Sequence, residues 1–135
     1  MARGVWVYSP QSRKGGKATA EDKIRIEAFF QPLIDKFKSE IPPPPEDKDR
    51  NYVTDVYSKW YRNFFYIYEK LKIMGENRIK DEAEIGVVRL KFVRKDTFDL
   101  SYFRHTGKWE FIEADLSMEE CKEMIEEDPM FQPLF

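Results

Sequence analysis

The chain has 135 residues, 41% hydrophobic and 16% aromatic, which suits one core and leaves too little apolar surface for two. Charged residues make up 36% at a net charge of −2, a well-solvated surface rather than a disordered composition. No apolar run nears the roughly 20 residues of a membrane helix, Met1–Tyr8 lacks a signal-type apolar stretch, and the lone Cys121 excludes an internal disulfide; a cytoplasmic protein with no membrane partner is expected.

The expected organisation is a single domain over 1–135, with a basic N-terminal segment (1–18) and a Pro-rich connector (41–50). Val5-Trp6-Val7-Tyr8 reads as a short edge strand stopped by Ser9-Pro10. Gln11–Lys17, with Gly15-Gly16, reads as a flexible basic loop. It lacks the glycine spacing of a nucleotide-binding loop. Residues 1–25 carry six Lys/Arg against Glu21 and Asp22, a net +4.

Thr19-Ala20-Glu21-Asp22 has the form of a helix N-cap with a carboxylate three residues on. Ile26, Phe29, Phe30, Leu33 and Phe37 then form one apolar helical stripe. Pro32 has no amide to donate and its ring clashes with the carbonyl of Ala28, so a kink or two short helices are expected. Pro42–Pro45 cannot continue a helix and predicts an extended connector.

Residues 51–74 admit two readings. Val53, Tyr57, Trp60, Phe64, Ile67, Leu71 and Met74 repeat at steps of three and four, as a helix would. The density of Trp, Tyr and Phe fits a pleated surface instead. Arg62-Asn63 suits a turn, because Asn tolerates left-handed backbone. A hairpin with strands near 52–60 and 64–72 is the favoured reading. Two further strands are expected at 86–94 and 98–103, with a short fifth at 109–111. Ser117-Met118-Glu119-Glu120 is a capping box, Leu116 staples against Cys121, and Cys121, Met124 and Ile125 form the apolar face of a helix that Pro129 ends. The fold class is α+β: an antiparallel sheet of four to five strands, a long N-terminal helix and a short C-terminal one.

Four stretches together resemble an uncharacterised family of short bacterial proteins, often cyanobacterial: Met1–Pro10 (MARGVWVYSP), Lys59–Tyr66, Arg104–Trp109 and Glu127-Asp128-Pro129. The resemblance spans nearly the whole chain. It implies no established activity and transfers no catalytic residue.

Function therefore rests on surfaces. In a strand, residues two apart share a face. With Phe65, Ile67, Leu71 and Ile73 inward, Tyr66, Tyr68, Lys70 and Lys72 point outward. With Val88, Leu90 and Phe92 inward, Arg89 and Lys91 point outward, and Tyr57 and Lys59 join them. Such an aromatic and basic face suits three occupants. It docks a protein partner or a second copy, it binds single-stranded nucleic acid by stacking, or the long helix simply covers it. A non-enzymatic interaction module is the leading reading, with nucleic-acid binding as the alternative. A third reading is a small hydrolase or nuclease using His105 and Arg104, since His titrates near neutrality. The bland account of His105 is a solvated loop residue. His105 and Cys121 alone do not make a metal site, and no cofactor is expected. The nine carboxylates against Lys122 in 110–128 read as a solvated acidic helix and its approach.

Overall fold

A computed structural model describes residues 15–104, 106–133 and 135. The expected strand at Val5–Tyr8, most of the basic loop, and His105 lie outside the described residues.

The first helix, α1, spans Ala20–Ser39. Thr19 caps it: its hydroxyl accepts from the Asp22 amide at 3.0 Å, and the Asp22 carboxylate accepts from the Thr19 amide at 3.0 Å. The expectation of two short helices is corrected, because a single helix runs through Pro32. A proline in a helix interior costs about 3 kcal/mol. Beyond Pro32 the helix buries Leu33, Ile34 and Phe37, each worth about 1.5–3 kcal/mol. Ala28 and Pro32 are both exposed, so water can meet the carbonyl left without its amide. Burial outweighs the break.

Ile41–Arg50 contains no helix or strand and leads into the sheet. Five strands follow in chain order as an antiparallel meander: β1 (Tyr52–Tyr61), β2 (Phe64–Lys72), β3 (Glu82–Arg94), β4 (Thr97–Phe103) and β5 (Trp109–Leu116). The hairpin reading of 51–74 holds, with Tyr57 opposite Tyr68 and Trp60 opposite Phe65. In the turn, however, Arg62 takes the left-handed backbone (φ 53°). Asn63 does something else. Its side chain accepts from the Ala18 amide (2.8 Å) and donates to the carbonyls of Phe92 (2.8 Å) and Gly16 (3.2 Å), tying the approach to α1 onto the sheet. β3 begins four residues earlier than expected, because Glu82–Ile85 pairs with Glu69–Lys72. β5 runs five residues past its expected end.

The second helix, α2 (Met118–Glu127), starts at Ser117 with the expected reciprocal cap, and a 3₁₀ turn over Pro129–Phe131 follows it. Both helices lie on one face of the sheet. Val56, Phe65, Ile67, Val88, Leu90, Phe92, Phe98 and Leu100 point to that side and form one core with Ile26, Phe30, Phe37, Cys121 and Ile125. Phe65 stacks on Phe30 (ring centroids 5.5 Å) and packs against Trp60 (5.3 Å). Burial pushes the Cys121 thiol up to about 12, aided by Glu120 and Asp99, so it stays protonated at neutral pH and is no nucleophile. Among the described residues no helix is long and apolar enough to cross a membrane.

Candidate interaction surface

Because successive side chains in a strand alternate, sealing Phe65 and Ile67 under α1 sends Tyr66 and Tyr68 to the other side. The possibility that α1 covers the tyrosines is thereby overturned. No described element lies over this outer face.

The rings there form a connected array. Tyr66 stacks on Tyr68 with centroids 5.3 Å apart and planes 22° apart. Tyr57 meets Tyr68 across the hairpin at 6.2 Å, and Phe64 meets Tyr66 at 6.0 Å. Trp109, from the distant β5, leans against Tyr66 (5.5 Å) and Phe103 (5.2 Å). Trp109 reaches so far because β3 carries Gly86 beneath it. A methyl group on Gly86 would stand 2.7 Å from Trp109 Cζ2 and 2.8 Å from Cη2. Glycine inside a strand marks this kind of close approach.

Cations cap the rings. Lys59 Nζ lies 5.7 Å from the Tyr68 centroid, and Lys70 Nζ 5.8 Å from that of Tyr57. The Arg89 guanidinium sits 5.0 Å from Phe64 and 5.1 Å from Trp109. Each such contact contributes about 0.5–1 kcal/mol when exposed. Six of the expected binding residues thus come together: Tyr57, Lys59, Tyr66, Tyr68, Lys70 and Arg89. The other two sit at opposite ends of the array. Lys72 pairs in register with Tyr52 and Glu82, and Lys91 with Phe64.

Glu84 was not among the expected residues. It accepts a hydrogen bond from the Tyr57 hydroxyl and lies 3.2 Å from Lys59 Nζ. That phenol bond, opposed by burial and reinforced by Lys59, holds the Glu84 carboxyl below the usual glutamate range. Burial, and then the same hydrogen bond, push the Tyr57 phenol above the usual tyrosine range. The signs are opposite in consequence. The Glu84 contribution is present above the unfolded carboxylate value and lost as pH falls through the folded one; the Tyr57 contribution is present below the unfolded phenol value and lost at alkaline pH. Two-dimensional NMR titration should give Glu84 a midpoint below the usual glutamate range, moved up by Tyr57→Phe. Ultraviolet titration should show a late-ionising tyrosine that Glu84→Gln returns toward the usual range.

Phe64, Phe103 and Trp109 also escaped the sequence reading, although alternation along the expected strands at 64–72, 98–103 and 109–111 is the signal that could have found them. Arg104 does not join the face. Its Nε is 3.1 Å from Glu110 Oε2, which also accepts from the Tyr102 hydroxyl (3.0 Å). Arg104 lines a cavity of about 410 Å³ with the buried Glu69 and with Tyr102, Met130 and Gln132, which Gly86 and Phe103 also border. Among the described residues no three of His, Cys, Asp or Glu converge as metal ligands.

No curated protein and no solved structure matches the chain. A family model described as a domain of unknown function (DUF3024) matches residues 20–133. That range takes in Lys59–Tyr66, Arg104–Trp109 and Glu127–Pro129, and leaves the Met1–Pro10 stretch outside the match. With its length covered from the start of α1 past the terminal 3₁₀ turn, the chain belongs to this uncharacterised family.

Proposed function

We propose that the chain is a non-enzymatic interaction module that docks a protein through the outer sheet face. The observation that carries this is the capped state of the rings. Tyr57, Tyr66, Tyr68, Phe64 and Trp109 already lie against one another or beneath Lys59, Lys70 and Arg89. A nucleobase needs a ring face to stack on, and here those faces are engaged within the chain. Glu84 also places a carboxylate among them, against the concentrated positive charge that phosphates require. A protein surface makes neither demand. It is served by large, pre-ordered Tyr, Trp and Arg side chains, which lose little entropy on docking. The single buried Cys121 fits work in the reducing cytoplasm.

The test is a photo-reactive amino acid at position 66, with a control at the exposed Ile24 on α1. The expected result is a discrete protein adduct from position 66 alone, lost on Arg89→Ala. Adducts to nucleic acid, or equal labelling from both positions, would overturn the reading. In parallel, a labelled single-stranded oligonucleotide should show no tight, salt-sensitive binding by anisotropy.

A further inference from the structure

The outward side chains of β3 read, from one end of the strand to the other, Glu82, Glu84, Gly86, Arg89 and Lys91. A bulge at Val87, where Ile67 pairs with Val88 but Tyr68 with Gly86, keeps all five on one face. The strand thus carries two acids, a glycine and two bases, with the glycine at the centre. On β2 the same rows carry Lys72, Lys70, Tyr68, Tyr66 and Phe64.

This order is its own complement. A half-turn about an axis lying across the strands, at the level of Gly86 and Tyr68, exchanges the two ends of the face. It sets Glu82 of one copy against Lys91 of the other, and Glu84 against Arg89. It also sets Lys70 against the Tyr66 ring and leaves Tyr68 over Tyr68. We infer that the protein which docks on the outer face is a second copy of this chain, packed sheet to sheet with antiparallel strands about that axis. The inference rests on the proposed docking role of the face.

Three arguments favour this occupant. A two-fold interface needs a patch complementary to itself, and the pattern on β3 supplies one. Sheets packed face to face lie about 10 Å apart, within the combined reach of a lysine and a glutamate. Finally, the charges at the two ends are available. Lys91 and Glu82 are exposed, and neither makes an ion pair among the described residues. The inner pair is partly engaged, Glu84 with Tyr57 and Lys59, and Arg89 between Phe64 and Trp109. The rings in the middle supply apolar area, and the outer charges set the orientation.

The end charges also allow a direct test by sedimentation equilibrium on the full chain. The native chain should self-associate. Lys91→Glu gives each copy two facing acids at both ends of the interface, and Glu82→Lys gives two facing bases. Each variant alone should associate at least about tenfold more weakly, because both symmetry-related pairs change from attraction to repulsion. An equimolar mixture of the two variants should recover native-like affinity, since every end pair is then opposite in charge. That recovery also shows that both variants fold. A native chain that stays monomeric, single variants that associate like the native chain, or a mixture that fails to recover would each overturn the inference. A monomer that still gives position-66 adducts to a different protein would remove the second copy and leave the docking role standing. A monomer with no such adducts would remove both.

Discussion

Phe65→Ala is expected to lower the unfolding free energy by about 3–5 kcal/mol. Phe65 is fully buried beside the turn of the hairpin and joins two layers. It stacks on Phe30 of α1 and packs against Trp60 of β1. Truncation removes the transfer free energy of the ring and leaves a cavity between a helix and a sheet, elements that cannot close on it without moving as bodies. Urea unfolding followed by tryptophan emission should show a lower midpoint with an unchanged slope. Tyr66→Ala, one residue along, is a natural comparison. Its ring is half-exposed on the outer face, so the cost should be about 1 kcal/mol. Equal losses at the two positions would contradict the assignment of inner and outer faces.

Asn63→Ala is expected to cost about 2–3 kcal/mol, large for a polar residue in a turn. One side chain in the turn holds three backbone groups: the Ala18 amide and the Gly16 carbonyl ahead of α1, and the Phe92 carbonyl at the end of β3. Removing it leaves a part-buried donor and acceptor to find other partners. Thermal unfolding should show the loss, and hydrogen exchange should quicken most at Ala18. Asn63→Asp keeps an acceptor for Ala18 but has no donor for the two carbonyls, so it should fall between alanine and the native residue. An Asn63→Ala protein of native stability would show that α1 does not depend on this tie.

Residues 51–74 show how far the sequence could be read and where it was ambiguous. The apparent helical stripe of Val53, Tyr57, Trp60, Phe64, Ile67, Leu71 and Met74 matches no surface of the folded chain. Trp60 and Ile67 face the core, while Tyr57 and Phe64 face outward. The alternation of Phe65 and Ile67 with Tyr66 and Tyr68 is the pattern burial selected, because only the period of two separates apolar from polar side chains. Residue chemistry was enough for the caps at Thr19 and Ser117, since a cap is a contact between residues three apart. It misled at Pro32, where a local penalty met a larger gain from burying Leu33, Ile34 and Phe37. It also missed Glu69, which alternation sends inward and which is only 1% exposed despite its charge.

Local order in the chain was thus sufficient for the element types, the class of fold and the split of β2 into an oily and a ringed side and of β3 into an oily and a charged one. Each of these depends on neighbours a few residues apart, whose geometry the backbone period dictates. Tertiary structure alone decided which side α1 covers, that Trp109 crosses β4 to lie over Gly86, and that Glu84 meets Tyr57 and Lys59. Those facts depend on strand register and on bulges near Val87 and Thr54. A shift of one residue there would turn every side chain to the opposite face, and no pattern within a single strand records its partner's register.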